Sequence, residues 1–389
     1  MASAATADGS QPLRLPVASQ SPGPSGPPPE GRRARVVLIG IKDHKGQQGM
    51  AKGYKGAKVI IICGPTASGK TGWGVEFAKK FNGEIVSADS RQVYRGLDIG
   101  SGKDLGELKR VKYHMIDIVD PGERFTLFNW LEDARKIIDD ILAREKTPIV
   151  VGGTGLYVQA LTEGFELEKN QKSNIKYQKH ILKTKKYLRE ELDKMGLAEL
   201  QKISKKLQPK TYNLDINNPR RLIRFIERAQ TGEYPTKQKP PYQFLQIAPD
   251  FPREELYQRI DKRVDERFRE GMLNEVADLI NFGVDANWLI SLGLEYRIIT
   301  SYLVKSEILN SKSKTNSKLE IQKPKKLRSY HLQPDDVYEE MKQELKYKIH
   351  NFARKQMTWF RRFPEINWAR NYREAEKSAA EFLKGTSTD

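Results

Sequence analysis

Val59-Ile60-Ile61-Ile62-Cys63 runs straight into Gly64-Pro65-Thr66-Ala67-Ser68-Gly69-Lys70-Thr71, and this junction decides the fold. Five consecutive residues, four of them β-branched, read as a strand buried on both faces of a parallel sheet. The eight that follow match G-x-x-x-x-G-K-[ST] and lead into a helical stretch reaching about Phe81. Strand, glycine loop and helix in that order are the context in which the motif cradles phosphate. Its physics is a nest of backbone N–H groups at a helix N-terminus, facing an anion. Gly64 and Gly69 let the backbone curl, Lys70 sets a point charge on the phosphates, and Thr71 offers a hydroxyl to Mg²⁺. The motif specifies a di- or triphosphate, not which one, and not that a phosphoryl group moves.

Outward from the loop the pattern stays α/β. Glu84–Ala88 and Tyr113–Ile118 read as strands, Leu127–Arg144 as a helix, and Pro148–Val151 as another buried strand closed by Gly152-Gly153. Alternating strands and helices predict a parallel sheet with helices on both faces, a P-loop NTPase-like core. From 172 the chain turns helical and charged, with helices expected over 174–194, 197–206 and 217–231. Tyr242–Ala248 reads as a return strand, Glu254–Arg269 and Leu273–Asn281 as helices, and Val337–Phe363 as a long basic helix limited by Pro364. The expected division is therefore a low-complexity extension at 1–57, core at 58–171, and an all-helical insertion at 172–240. Core resumes at 241–304 and 336–370, interrupted by an exposed basic insertion at 305–335, and a tail closes the chain at 371–389.

Composition excludes several classes. One cysteine, Cys63, rules out an intramolecular disulfide framework and a zinc site built on several Cys. No stretch approaches the length of apolar chain that spans a membrane, so no membrane partner is expected. Residues 1–30 hold seven prolines and no aromatic residue, too little to bury a core. Their single basic residue, Arg14, does not suit a secretory signal, so the expected location is cytoplasmic, or organellar if the extension is a transit segment. Val36–Ile39 reads as a weak strand or an unstructured patch, and Met50 as an alternative start.

The net charge of +18 points to a polyanion, and its distribution is uneven. Residues 59–168 carry 14 basic and 17 acidic side chains, so −3, whereas 169–389 carry 45 and 30, so +15. The segment with the phosphate loop is slightly acidic, and the excess lies in the second half.

Further blocks carry a resemblance. They are Asp89-Ser90-Arg91-Gln92-Val93-Tyr94, Leu97-Asp98-Ile99-Gly100, His114-Met115-Ile116-Asp117 with Asp120-Pro121, and Val151-Gly152-Gly153-Thr154-Gly155-Leu156-Tyr157. Asn218-Pro219-Arg220-Arg221-Leu222-Ile223-Arg224 and Ala353–Arg362 follow in the same order. Together with the phosphate loop they resemble the tRNA dimethylallyltransferase (tRNA isopentenyltransferase) family of bacterial type, over about 59–300 and 336–368. The resemblance implies that dimethylallyl diphosphate donates its prenyl group to N6 of adenosine 37 in a tRNA anticodon loop. Pyrophosphate leaves, held by residues Gly64 to Thr71 with Mg²⁺.

It also implies roles. Asp89 matches the general base, although position alone fits equally a helix N-cap or a magnesium carboxylate. Thr154, at a strand's C-terminal end, matches a nucleotide contact and could orient the amine or bond a phosphate. Asp89, Ser90, Arg91 and Gln92 match the segment around the flipped base, since base chemistry requires the adenine to leave its stack. Arg220, Arg221, Leu222, Ile223 and Arg224 match a second tRNA contact, with Arg220 and Arg224 four apart on one helix face. Lys176 falls near a further contact point. Tyr177, Tyr187 and Tyr212 read as packing residues, and the apolar members of 354–362 as packing on the core while its arginines reach phosphates. The 305–335 link and the extension depart from the family pattern, and one Cys excludes the zinc finger of many eukaryotic members. A monomer is expected. The competing readings are an isopentenyltransferase acting on free AMP, ADP or ATP, and a phosphoryl-transfer kinase.

Overall fold

The structure, a computed structural model, describes residues 56–169, 189–207, 215–231, 233–312 and 336–385. Strand β1 (Ala57–Cys63) lies inside a six-stranded parallel sheet with β2 (Gly83–Ser87), β3 (Tyr113–His114), β4 (Thr147–Gly152), β7 (Tyr242–Pro249) and β8 (Ile366–Ala369), in the order β3-β2-β4-β1-β7-β8. Ile60 pairs with Ile149 on one side and Leu245 on the other, so β1 is covered along both edges.

Alternation along β1 explains its unbroken apolar run. Val59, Ile61 and Cys63 enter one core and Ile60 and Ile62 the other, all fully buried. The first core is closed by α3 (Leu127–Ala143), α4 (Gly155–Thr162) and the end of the long helix at Phe360. The second is closed by α1 (Lys70–Lys80) and by the C-terminal helix through Ala375 and Ala379. A short α2 (Leu105–Leu108) lies before β3.

Two segments extend from this sandwich. Strands β5 (Phe165–Lys169) and β6 (Glu233–Lys237) form an antiparallel ribbon from which the insertion departs and to which it returns. Its described helices, α5 (Arg189–Lys194), α6 (Leu197–Leu207) and α7 (Pro219–Thr231), share a separate core of Leu192, Leu200, Ile203, Leu207, Leu222, Ile223, Ile226 and Ala229. The insertion is thus helical in body but carried on a β-ribbon. The alternation Phe-Glu-Leu-Glu-Lys announces that ribbon, whereas Pro235 hides its partner strand.

A second helical layer follows β7: α8 (Arg253–Arg269), α9 (Met272–Asn281), α10 (Ala286–Leu292), α11 (Leu294–Lys312) and α12 (Asp336–Phe360). They bury Val264, Phe268, Met272, Tyr296, Leu345 and Ile349 in one cluster with Val93, Tyr94 and Leu97 of the first half.

Three sequence expectations need correction. The tail expected over 371–389 is helical in its described part: α13 (Tyr372–Lys384) packs on the sheet, capped by the Asn371 side chain, which accepts the Glu374 N–H at 3.0 Å. Its buried side chains are alanines, which leave little hydrophobic signature. The strand expected over 113–118 pairs only at Tyr113–His114, because Met115 and Asp117 adopt left-handed φ of 64° and 55°. Finally, 305–312, expected to open the exposed basic insertion, continues helix α11. Residues 1–55, Lys176, Tyr177, Tyr187, Tyr212 and 313–335 lie outside the described residues.

Candidate active site

The sheet's C-terminal edge, where β1, β2 and β4 end, gathers the loops into one pocket. Order reverses there, since β1 is followed in sequence by β2 but flanked by β4, the topology that opens a crevice for ligands. The phosphate loop enters with Gly64 at φ 130°, Ala67 at φ 62° and Gly69 at φ 79°, the last serving as N-cap of α1. Ser68 is fully buried, and its hydroxyl donates to Pro65 O at 2.9 Å. Lys70 Nζ donates to the same carbonyl. Thr66, Ala67, Lys70 and Thr71 line the pocket.

Asp89, at the end of β2, faces the same space. Its Oδ1 accepts the Arg91 N–H at 2.9 Å, an Asx turn that replaces the helix N-cap allowed by sequence. Beside it, Thr154 Oγ1 accepts the Ser90 N–H at 3.1 Å, and Thr154 N donates to Ala88 O at 3.1 Å. The two strand ends are therefore stitched together. Gly152 makes this approach feasible, because a Cβ there would stand 2.2 Å from Ala88 O. At Gly155 a Cβ would stand 2.4 Å from the Trp359 ring.

Gln92 turns inward rather than into open space. Its Oε1 accepts the Ser87 hydroxyl at 2.9 Å and its Nε2 donates to Gly102 O at 3.2 Å. The loop over 98–102 is pinned from α9. The Glu275 carboxylate accepts the N–H groups of Asp98 (2.9 Å), Ile99 (2.6 Å) and Gly100 (3.0 Å), and the Tyr296 hydroxyl at 3.0 Å. Lys103, buried, ties Asp98 to Asp117 and so joins the Leu97–Gly100 and His114–Asp117 blocks in space.

The pocket's charge is the property that sequence reading missed. Arg263 and Arg267 reach it from α8, and Glu295 from α11. Glu295, 4% exposed, pairs with Arg91 at 2.6 Å and Arg267 at 3.3 Å. Burial alone would raise the Glu295 pKa, but Arg91 and Arg267 hold it below the usual carboxylate value. Arg263 donates to Thr66 Oγ1 in the phosphate loop. Among the described residues neither Arg263 nor Lys70 has a carboxylate at ion-pair distance. Burial, then repulsion from Arg267, lowers Arg263 to about 9, while burial, then repulsion from Arg263, lowers Lys70 to about 8. Asp89 attracts both. Lys70 of the phosphate loop and Arg263 beside it are two cations of the kind that can receive a compact polyanion.

The pocket thus unites the phosphate loop, Asp89 to Gln92 and Thr154. It does not include the α7 residues. Arg220 and Arg221 are exposed on the insertion, Arg221 within 3.5 Å of Asp215, and Arg224 lies 3.3 Å from Glu227. Leu222 and Ile223 are corrected as nucleic-acid contacts, because both side chains are buried in the insertion's own core. In 354–362 the apolar expectation holds, with Phe360 buried. Its arginines are engaged on protein: Arg361 pairs with Asp250 at 3.0 Å, and Arg362 lies 4.1 Å over the Trp359 ring. Among the described residues no group of three or more His, Cys, Asp or Glu could hold a metal ion, and no helix is long and apolar enough to cross a membrane.

Comparison with known proteins shows the family. The family model for IPP transferase matches residues 92–363, and that for isopentenyl transferase matches 57–116. The chain is 37% identical over 337 residues to a tRNA dimethylallyltransferase 2 of Shewanella sediminis, covering 85% of this chain and 98% of the relative. Among solved structures it is similar to the tRNA isopentenylpyrophosphate transferase of Bacillus halodurans, with TM-score 0.56, 29% identity, and coverage of 84% and 97%. It is also similar to the tRNA delta(2)-isopentenylpyrophosphate transferase of Staphylococcus epidermidis, with TM-score 0.53, 28% identity, and coverage of 84% and 99%.

Proposed function

The chain belongs to the IPP transferase family, an enzyme family of tRNA prenylation, and we propose that it moves a dimethylallyl group from dimethylallyl diphosphate to N6 of adenosine 37 in tRNA. One observation carries the reading: Lys70 of the phosphate loop and Arg263 beside it, neither with a carboxylate at ion-pair distance among the described residues, share one pocket with Asp89 and Thr154. A diphosphate supplies the missing anion on one side, and a flipped adenine brings its amine to the other.

In this reading the N6 lone pair attacks C1 of the dimethylallyl group, the C1–O bond breaks, and pyrophosphate leaves. The backbone amides of Gly64 to Thr71, Lys70 and Arg263 stabilise the charge that grows on the leaving oxygens. Asp89 takes the N6 proton, and its Asx turn fixes the carboxylate near the end of β2. Thr154 and the Ser90 N–H hold the turn against which the base docks. Magnesium would be held here through the Thr71 hydroxyl, an oxygen donor of the kind this ion prefers, at the edge of the phosphate loop. Bound there, it would supply further charge neutralisation. Arg220, Arg221, Arg224 and Lys176 act as phosphate contacts to the anticodon stem, which confer affinity without sequence information. The protein is expected to act as a cytoplasmic monomer.

The test is incubation with radiolabelled dimethylallyl diphosphate and either tRNA bearing A36-A37-A38 or free AMP. Label in tRNA is expected. Label only in AMP, or γ-phosphate transfer from ATP, would overturn the assignment.

A further inference from the structure

One distant side chain joins the two halves of the pocket. Gln356, on α12, is buried, and its amide spans two loops far upstream. Oε1 accepts the Thr66 N–H at 2.8 Å, and Nε2 donates to Gly153 O at 2.8 Å. Thr66 belongs to the phosphate loop, and Gly153 begins the turn that sets Thr154. From Thr154 the connection continues through the Ser90 N–H and Ala88 O to the strand end that carries Asp89. Gly153 leaves room for this bridge, since a Cβ there would stand 2.8 Å from Gln356 Nε2. The flanking Arg354 and Lys355 are exposed, so the same helical turn shows cations outward and the amide inward.

We propose that Gln356 is a positioning residue for prenyl transfer, a clamp that fixes the leaving-group loop relative to the turn that holds the attacking base. The proposal rests on the reading under Proposed function. Its force is geometric: transfer needs the amine and C1 in near-attack contact, and an error of about 1 Å costs ~10²-fold in rate. A neutral amide is suited to the task because it offers an acceptor and a donor from one rigid plane. A carboxylate would still accept from Thr66 but would set an anion against the Gly153 carbonyl. A carboxylic acid would make both bonds again, which gives the clamp a pH signature.

Gln356→Met and Gln356→Glu, made in the full chain, test it. For Gln356→Met, kcat at saturating substrates is expected to fall ~10²-fold, with the KM for dimethylallyl diphosphate and the Kd for tRNA within about threefold of wild type. For Gln356→Glu, activity relative to wild type should climb as pH drops from about 8 to about 6, while the Met variant's ratio stays flat. Circular-dichroism melts of each variant separate loss of the fold from loss of alignment. A Met variant with near wild-type kcat, a loss seen wholly in KM, or a flat Glu ratio overturns the clamp. Wild-type labelling of tRNA tests the function itself. If wild type labels only AMP, that reading fails, and the same variants assayed on AMP still decide the clamp.

Discussion

Replacing the phosphate-loop lysine should stabilise the empty protein while abolishing its ligand binding. Burial, then repulsion from Arg263, moves Lys70 from its ordinary 10.5 to about 8, against the attraction of Asp89 and Cys63. At about 1.4 kcal/mol per pKa unit, that displacement corresponds to ~3.5 kcal/mol of penalty carried by the charged lysine in the ligand-free fold. Lys70 retains partial exposure to solvent, which screens the penalty to ~2 kcal/mol. Lys70→Met also removes the hydrogen bond to Pro65 O, worth ~1 kcal/mol, so the expected net gain is ~1 kcal/mol at neutral pH.

The pH dependence is more diagnostic than the size. Because the folded pKa lies below the unfolded one, the unfolded chain binds more protons between about 8 and 10.5, and wild-type stability rises across that window. Below about 8 the penalty is complete, so the advantage of Lys70→Met should be full at neutral pH and should shrink as pH climbs toward 10.5. Urea melts in phosphate-free buffer at several pH values measure it. A parallel titration with pyrophosphate should stabilise wild type by ~2.7 kcal/mol at a hundred times its Kd and leave the variant unmoved. A variant less stable than wild type at neutral pH, a pH-independent difference, or equal stabilisation of both proteins by pyrophosphate would refute the reasoning.

Other outcomes follow from the same geometry. Asp89→Ala should lower transfer at least ~10²-fold while tRNA binding, read by filter retention, stays within about twofold. In the free enzyme Lys70 loses its proton through about 8, so the KM for dimethylallyl diphosphate should rise in steady-state assays above that pH. Arg220→Ala with Arg224→Ala should weaken tRNA binding and reduce the slope of log Kd against log salt by ~1 for every phosphate left without its arginine. Gly152→Ala forces a Cβ to within 2.2 Å of Ala88 O, and should cost ~3 kcal/mol in a denaturant melt together with most activity.

What could be read in the sequence was local. The β1 strand and phosphate loop are contiguous, and their alternation and glycine spacing carry their own explanation. The missing half of the pocket shows why the rest was hidden. Arg259, Arg263 and Arg267 recur every four residues on α8, which places them along one side of the helix but does not say which of them reaches the pocket. Arg259 leaves the pocket, pairing with Glu255 at 2.8 Å and lying 4.1 Å over the Phe251 ring, whereas Arg263 and Arg267 enter it. Identical spacing has two fates because packing against α12 and the loop over 98–102 decides them. Gln356 was hidden in the same way, since its partners lie 203 and 290 residues away in sequence.

These residues also change the meaning of the charge asymmetry. Residues 59–168 sum to −3 with 14 basic and 17 acidic side chains, which suggests a near-neutral chemical centre and a basic gripping surface elsewhere. The fold places part of the second half's excess inside the pocket instead, through Arg263 and Arg267. Glu295 from the same half then pairs with Arg267 and with Arg91, which neutralises much of that added charge. Among the described residues, Lys70 and Arg263, one from each half of the chain, are left without a carboxylate at ion-pair distance, with Asp89 attracting both across the pocket, and they meet at Thr66 and Pro65 of the phosphate loop. On the proposed reading, anion affinity at this site is therefore expected to be a property of the assembled fold. Separating α8 from the sheet would remove Arg263 and leave Lys70 as the loop's own cation toward a diphosphate. The seating of α8 against the loop, as much as the loop's own amides, is what should distinguish a diphosphate from a monophosphate here.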